Sequence, residues 1–341
     1  MNIDQLIRAH LSNWVPYTSA RETTNIQADI WLDANENPFE SEFNRYPDPH
    51  QIKLKQELAI LKQVSIDRIF LGNGSDEAID LLIRVFCEPG KDKILICPPT
   101  YGMYQVASRL SDVEVIKIPL TESFQLDMLN VKKALSTNLI KLIFVCSPNN
   151  PTGNCLKEDD LLELAQYHKG LLIVDEAYID FAQQTSLVPM LDQFSNLVVL
   201  QTFSKAWGLA GVRLGLAFGH PEVVRILSAT KPPYNISSVT QRIVVRALKN
   251  RATYRSQLNL ICHERSIMEA TLQRIKGVNR VYPSSANFLL VNFDQPLRVY
   301  EHLKQNGLVV RDRTREVEGC LRITVGTEIE NNRLIKLLSQ L

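Results

Sequence analysis

The stretch QTFSKAWGLAGVRLG, residues 201–215, sets a lysine between strand-forming residues and a glycine-rich run. A solvated lysine gains nothing from that setting. A lysine at the end of a buried strand is desolvated and gives up its proton more readily. Lys205 is therefore a candidate for covalent and proton-transfer chemistry, with an ordinary surface lysine as the plain alternative. Gly208, Gly211 and Gly215 permit tight turns or close backbone packing, and Arg213 carries planar donors suited to a phosphate.

Outward from this stretch, short apolar runs alternate with longer amphipathic ones. The runs are RIFLG (68–72), KILIC (93–97), VEVIKIP (113–119), KLIFVC (141–146), LLIVDEAY (171–178), NLVVLQTF (196–203) and GLAFG (215–219). Their unbroken Val, Ile and Leu content suggests strands buried on both faces. Helical stretches such as SDEAIDLLIRVFC (75–87) and KEDDLLELAQYHKG (157–170) lie between them. The alternation predicts an α/β fold with a mainly parallel sheet and ligands at the carboxyl ends of its strands. After KPPYNIS (231–237) the texture changes to a long helical region, about 238–276, then the strand-like NFLLVNF and CLRITVG and a terminal helix. The expected division is an arm at 1–44 that joins a small domain, a large domain at 45–235, and a small α+β domain at 236–341.

Bulk properties agree with two domains: 341 residues exceed one ordinary core. Lys plus Arg number 38 against 37 Asp plus Glu, a formal net charge of +1. That balance argues against nucleic acid or an anionic membrane as partner. No apolar run nears the roughly 20 residues of a membrane helix, and the first residues carry no basic-then-apolar pattern. A cytoplasmic location is expected. The six cysteines form no C-x-x-C pair and lie mostly in apolar runs, so buried thiols are expected, not a disulfide frame or metal site. The six histidines lack metal spacing, and His168 and His220 are expected at element ends.

Several polar residues follow the predicted strands. In FLGNGSDEAIDLL (70–82), Gly74 leads into a helix opening at Ser75 or Asp76, where free N–H groups form an anion site or simply a capped end. In CPPTYGMY (97–104), Tyr101 can cover a planar ring or sit in the core. In VCSPNNPTG (145–153), Asn149 and Asn150 offer amide donors at a proline turn. In LLIVDEAYIDF (171–181), Asp175 closes a buried run, so it must be paired or hydrogen-bonded, and Tyr178 follows. Each motif alone is weak. Together they form the set of groups that one phosphorylated, planar, carbonyl-bearing cofactor requires.

SPNNPTG (147–153), DEAYIDF (175–181) and FSKAWGLAGVRLG (203–215) resemble the fold-type I pyridoxal-phosphate enzymes of the aminotransferase class I and II group. VPYTSARE, DANENPF, NRYPDP, GNGSDEAIDLL, PPTYGMY, KPPYNIS and CLRITVG narrow the resemblance to its histidinol-phosphate aminotransferases. RTREVEG (313–319) is the least family-like stretch. The resemblance implies that Lys205 carries pyridoxal 5'-phosphate covalently and then moves the substrate proton. Asp175 would pair with the ring nitrogen, while Tyr178 and Asn150 bond its phenolic oxygen. Tyr101 would cover the ring, and Gly74, Ser75, Asp76, Ser204 and Arg213 would take the phosphate. Tyr46 would reach the phosphate of a neighbouring subunit, implying a homodimer with a shared site. Arg322, helped by Arg311, Tyr17 and Asn35, would bind histidinol phosphate or glutamate and 2-oxoglutarate. The implied reaction yields imidazole acetol phosphate and glutamate in histidine biosynthesis. An aromatic amino-acid aminotransferase and a threonine-phosphate decarboxylase-like enzyme remain alternatives. A DNA-binding regulator with the same cofactor is disfavoured by the lack of basic excess.

Overall fold

The computed structural model describes residues 3–11, 14–18 and 28–341. Seven strands form the larger sheet: β1 (Ile69–Asn73), β2 (Lys93–Ile96), β3 (Glu114–Lys117), β4 (Ile140–Cys146), β5 (Leu171–Asp175), β6 (Leu197–Thr202) and β7 (Leu214–Phe218). Their order is β1-β7-β6-β5-β4-β2-β3. Neighbours pair in parallel from β6 to β3, whereas β7 runs antiparallel to both β1 and β6.

Alternation along each strand feeds two cores. In β4, Ile143 and Val145 face one layer, and Leu142 and Phe144 face the other. Both faces are covered, which is why the run KLIFVC shows no polar alternation. Helices α1 (Ile52–Lys62), α4 (Met128–Thr137) and α5 (Glu158–Tyr167) pack on the first layer. Helices α2 (Ser75–Phe86), α3 (Met103–Leu110) and α6 (Pro221–Thr230) pack on the second. In α2 the buried Ala78, Ile79, Leu82, Ile83 and Phe86 make one apolar stripe at helical spacing.

Two further helices, α7 (Ser238–Lys249) and α8 (Arg251–Leu272), lead to a four-stranded antiparallel sheet. It comprises β8 (Val278–Val281), β9 (Phe288–Phe293), β10 (Arg311–Asp312) and β11 (Cys320–Thr324), with α9 (Pro296–Gln305) and α10 (Glu328–Leu338) against it. Its order is β10-β11-β9-β8, around its own apolar core. The molecule is thus α/β, with a mainly parallel large sheet and a smaller β-rich unit. No helix among the described residues is long and apolar enough to cross a membrane.

Three details differ from the sequence reading. VEVIKIP is not buried on both faces: β3 pairs only with β2, and Glu114 and Lys117 are exposed. Charges on such an edge discourage pairing with other chains. The long helical region is two helices that meet at Asn250. Val244 and Leu248 of α7 belong to the large core, so the layers change at Asn250 and not at residue 236. The described beginning of the arm also lies on the large unit. Ile3 is buried there with Leu6, Ile7 and Leu11 beside it, and Arg8 N–H donates to Val85 O at 3.1 Å. Apolar residues at positions 3, 6, 7 and 11 seek the nearest exposed core edge, here that of α2 and α6.

Among the cysteines, Cys87, Cys97, Cys146 and Cys320 are buried, and Cys155 and Cys262 are partly so; all six are free. His168 ends α5, and His220 caps α6, its ring accepting from Glu222 N–H.

Candidate active site

One cavity of about 400 Å³ opens where β1, β4, β5 and β6 end and β7 begins. Open α/β sheets bind their ligands at such strand ends.

Its anion end is built by two backbones in close contact. Gly74 takes φ +73° after β1, and a Cβ there would lie 2.6 Å from Nη2 of Arg213. A Cβ on Gly215 would lie 2.1 Å from Ser75 N, so only glycine fits. Gly74 N–H donates to Arg213 O at 3.0 Å, which locks β1 to the start of β7. The first N–H groups of α2, at Ser75 and Asp76, have no partner within the helix. Ser204 and Arg213 line the same end, with Arg213 Nη2 3.9 Å from Asp76 Oδ2. This set can hold a phosphate.

The floor is acidic and dry. Asp175 ends β5 and is 3% exposed. Tyr104 Oη donates to Asp175 Oδ2 at 2.7 Å, and Ala177 N–H donates to Oδ1 at 3.1 Å. Burial pushes the Asp175 carboxyl up to about 6, while these two bonds oppose the rise. Tyr101 stands over the floor, its hydroxyl donating to Asp76 Oδ1 at 3.0 Å and its ring edge-on to Tyr104. Burial first, then Asp76, holds the Tyr101 phenol well above its ordinary value.

Lys205 follows β6, with Nζ 5.6 Å from the Tyr178 ring centroid. The side chain is exposed to the cavity, yet the walls displace much of its water. Desolvation lowers its pKa, Arg322 lowers it further, and Asp175 opposes. Trp207, two residues on, stacks on Tyr254 of α8 at 3.9 Å and 10°. Asn150 Nδ2 donates to Tyr178 Oη at 3.4 Å, and Tyr178 packs edge-on against Phe288 of β9. Asn149 is not available: its amide donates to Pro99 O and Thr152 Oγ1, and Thr100 donates to its oxygen.

Basic residues close the far side. Arg322 of β11 donates to Asn150 Oδ1 and lies over Phe288. Arg311 stands opposite Arg322 in the β10–β11 pair. Arg313 lines the same cavity.

The structure therefore brings together Gly74, Ser75, Asp76, Tyr101, Asn150, Asp175, Tyr178, Ser204, Lys205, Arg213, Arg311 and Arg322. It does not bring Tyr17, Asn35 or Tyr46 to this cavity within the chain. Tyr46 stacks on Tyr234 at 4.4 Å, in a separate hollow that Asn35 also lines, and Tyr17 is 70% exposed. Among the described residues, none of the three belongs to an apolar core. Sequence reasoning missed Tyr104, Cys146, Ala177, Thr202, Ala210 and Arg313.

The sequence model of the aminotransferase class I and II family matches residues 20–338, and the chain belongs to that family. Its similarity within the family is to histidinol-phosphate aminotransferases. A protein so named from Cytophaga hutchinsonii is 48% identical over 343 residues, 99% of this chain and 98% of that one. Among solved structures, the histidinol-phosphate aminotransferase of Clostridium acetobutylicum superposes with a TM-score of 0.81 at 24% identity, covering 87% of this chain and 90% of its own. That of Sinorhizobium meliloti, solved in complex with pyridoxal-5'-phosphate, gives 0.80 at 22%, covering 87% and 82%.

Proposed function

We propose that this protein transfers the amino group of histidinol phosphate to 2-oxoglutarate, yielding imidazole acetol phosphate and glutamate, a step of histidine biosynthesis. Pyridoxal 5'-phosphate is its cofactor. The observation that carries this reading is a single cavity holding Lys205 and the buried Asp175, with an anion cradle at one end and Arg322 at the other. The cradle fits the cofactor phosphate because Gly74 and Gly215 leave its backbone donors uncovered, where any Cβ would collide.

When bound, the cofactor ring supplies an electron sink for the charge that develops at the substrate Cα. The chain supplies the rest. Lys205 would anchor the cofactor and, as a free amine, move the proton at Cα; desolvation and then Arg322 lower its pKa, which favours the neutral amine. Asp175 keeps the proton on the ring nitrogen, since an adjacent carboxylate favours the cationic form. Tyr178 and Asn150 would donate to the ring's phenolic oxygen. Tyr101 would cover one ring face, and Ser75, Asp76, Ser204 and Arg213 would hold the phosphate. Arg322 grips either the substrate phosphate or the carboxylate of glutamate, because a guanidinium forks onto both.

The working unit is a homodimer. Val15, Ile30, Leu32 and Phe39 are each more than about three-quarters exposed, apolar side chains that a second copy would cover. Tyr46 from that copy would reach the cofactor phosphate, and Tyr17 and Asn35 would complete the substrate rim.

The test is to mix the cofactor-loaded protein with histidinol phosphate alone and follow the cofactor spectrum, with phenylalanine and threonine phosphate in parallel. Conversion to the amine form, fastest with histidinol phosphate and reversed by 2-oxoglutarate, is the expected result. Fastest conversion by phenylalanine would move the specificity to aromatic amino acids. Release of carbon dioxide from threonine phosphate without the amine form would replace transamination by decarboxylation.

A further inference from the structure

We infer that Arg313 is a specificity-determining residue, a third guanidinium that favours a phosphate ester over a carboxylate in the substrate end of the cavity. The inference rests on the reaction proposed above and deepens it. Arg313 sits in the turn between β10 and β11, the stretch with the least recognisable pattern in the sequence, yet the fold aims it into the cavity beside Arg311 and Arg322.

The turn is tied down. Arg313 N–H donates to Cys320 O, and its own carbonyl accepts from Glu316 and Val317 N–H at 3.0 and 2.8 Å. Asn292 of β9 donates to Glu318 O at 2.8 Å. The Arg313 side chain is 18% exposed. Its Nη1 lies 2.9 Å from Glu316 Oε1, while its Nε is buried and has no hydrogen-bond partner among the described residues. An unmatched buried donor on a fixed guanidinium is a poor arrangement for stability alone. What Arg313 presents to the cavity it lines is therefore its charge and its outer guanidinium face, held in place by Glu316.

Charge balance gives the ligand class. Of the three guanidiniums lining this end, Arg313 is the one paired with a carboxylate, that of Glu316, and the end stays net positive. A phosphate monoester near neutrality carries about two negative charges, with its second pKa at about 6. The side-chain carboxylate of glutamate carries one. The pair of Arg311 and Arg322 already matches a carboxylate, so the extra donor and charge of Arg313 act on the phosphate. Glu316 tempers Arg313, which prevents an excess of positive charge when the smaller anion is bound.

The experiment compares both half-reactions in the cofactor-loaded wild type, Arg313→Gln and Glu316→Gln, by initial rates of the cofactor absorbance change. For Arg313→Gln the KM for histidinol phosphate is expected to rise roughly tenfold or more, as for loss of one charged hydrogen bond. The KM for glutamate should rise by clearly less, and the change should fall on KM more than on kcat. For Glu316→Gln the KM for histidinol phosphate should fall. Unphosphorylated histidinol should not distinguish Arg313→Gln from wild type. Equal weakening of both half-reactions, or of neither, overturns the inference. Should Arg313→Gln fail to fold, an unchanged ratio of the two KM values in Glu316→Gln overturns it. A wild type inert toward histidinol phosphate would instead refute the proposed substrate. Arg313 would then be judged by inhibition constants, where Arg313→Gln must weaken inorganic phosphate more than maleate, and equal loss overturns the inference.

Discussion

The hydroxyl of Tyr104 lies 2.7 Å from Oδ2 of Asp175, and both side chains are almost wholly buried. The bond favours the ionised carboxylate, opposing the burial that pushes its pKa to about 6. Tyr104→Phe keeps the ring that stacks on Phe144 and removes only the donor. Its expected effect is a cofactor affinity weaker by roughly tenfold, the worth of one hydrogen bond to a charged group. Affinity in the wild type should weaken as pH falls through about 6, because Asp175 must be ionised to pair with the ring nitrogen. In Tyr104→Phe that decline should begin at higher pH. Cofactor titrations across roughly pH 5 to 8 would read both shifts; coincident curves would remove Tyr104 from the site's chemistry.

Lys205 is expected to carry the cofactor. In Lys205→Ala, borohydride should leave no cofactor mass attached to the protein, while non-covalent binding through the cradle persists. A reducible adduct in that variant would identify another lysine as the anchor.

The stack of Trp207 on Tyr254 joins the lysine loop to α8. Tyr254→Leu should lose about 1 kcal/mol of ring–ring contact and loosen Lys205, with kcat falling several-fold. Tyr254→Phe retains the stack and should behave nearly as the wild type in kcat. Equal losses in the two variants would show that the hydroxyl, and not the ring, supports the loop.

Glu176 turns away from the cavity and accepts from Leu187 N–H, Ser186 Oγ and Gln201 Nε2. Burial nevertheless pushes its carboxyl up to about 7, from an ordinary 4.5. Between those values the unfolded chain has released the proton and the folded chain retains it. Stability therefore declines as pH rises from about 4.5 to about 7. Glu176→Gln cannot titrate, so its loss of stability over that window should be smaller by something on the order of 2 kcal/mol. Denaturant unfolding at both ends of the window measures the difference. Parallel slopes in the two proteins would mean that Glu176 is ionised in the fold.

Legibility in the sequence followed locality. Asp175, Lys205 and Gly74 each mark the end of an apolar run, and a strand end is visible from its own residues. Tyr104 was hidden because its function is a contact with Asp175, formed only when α3, the connection between β2 and β3, packs over the sheet. Arg313 was hidden because nothing in RTREVEG announces that a turn of the small sheet points into the large one. The α7 boundary was misplaced for a related reason: Val244 and Leu248 read as any amphipathic helix, and only packing against α1 assigns them to the large core. Tyr17, Asn35 and Tyr46 have exposed positions outside the cavity, and only the proposed dimer would give them a place in the site.

The reversed direction of β7 has a kinetic consequence. Lys205 and Arg213 lie on the single connection between Thr202 and Leu214, whereas Gly74 and Asp175 reach them only after long crossovers. Closing a short connection loses little chain entropy, and pairings between distant segments form slowly. During refolding, the amides shared by β6 and β7 should resist hydrogen exchange before those shared by β1 and β7. The anchor and its arginine would then meet early, and the cradle would be the last part of the site to assemble.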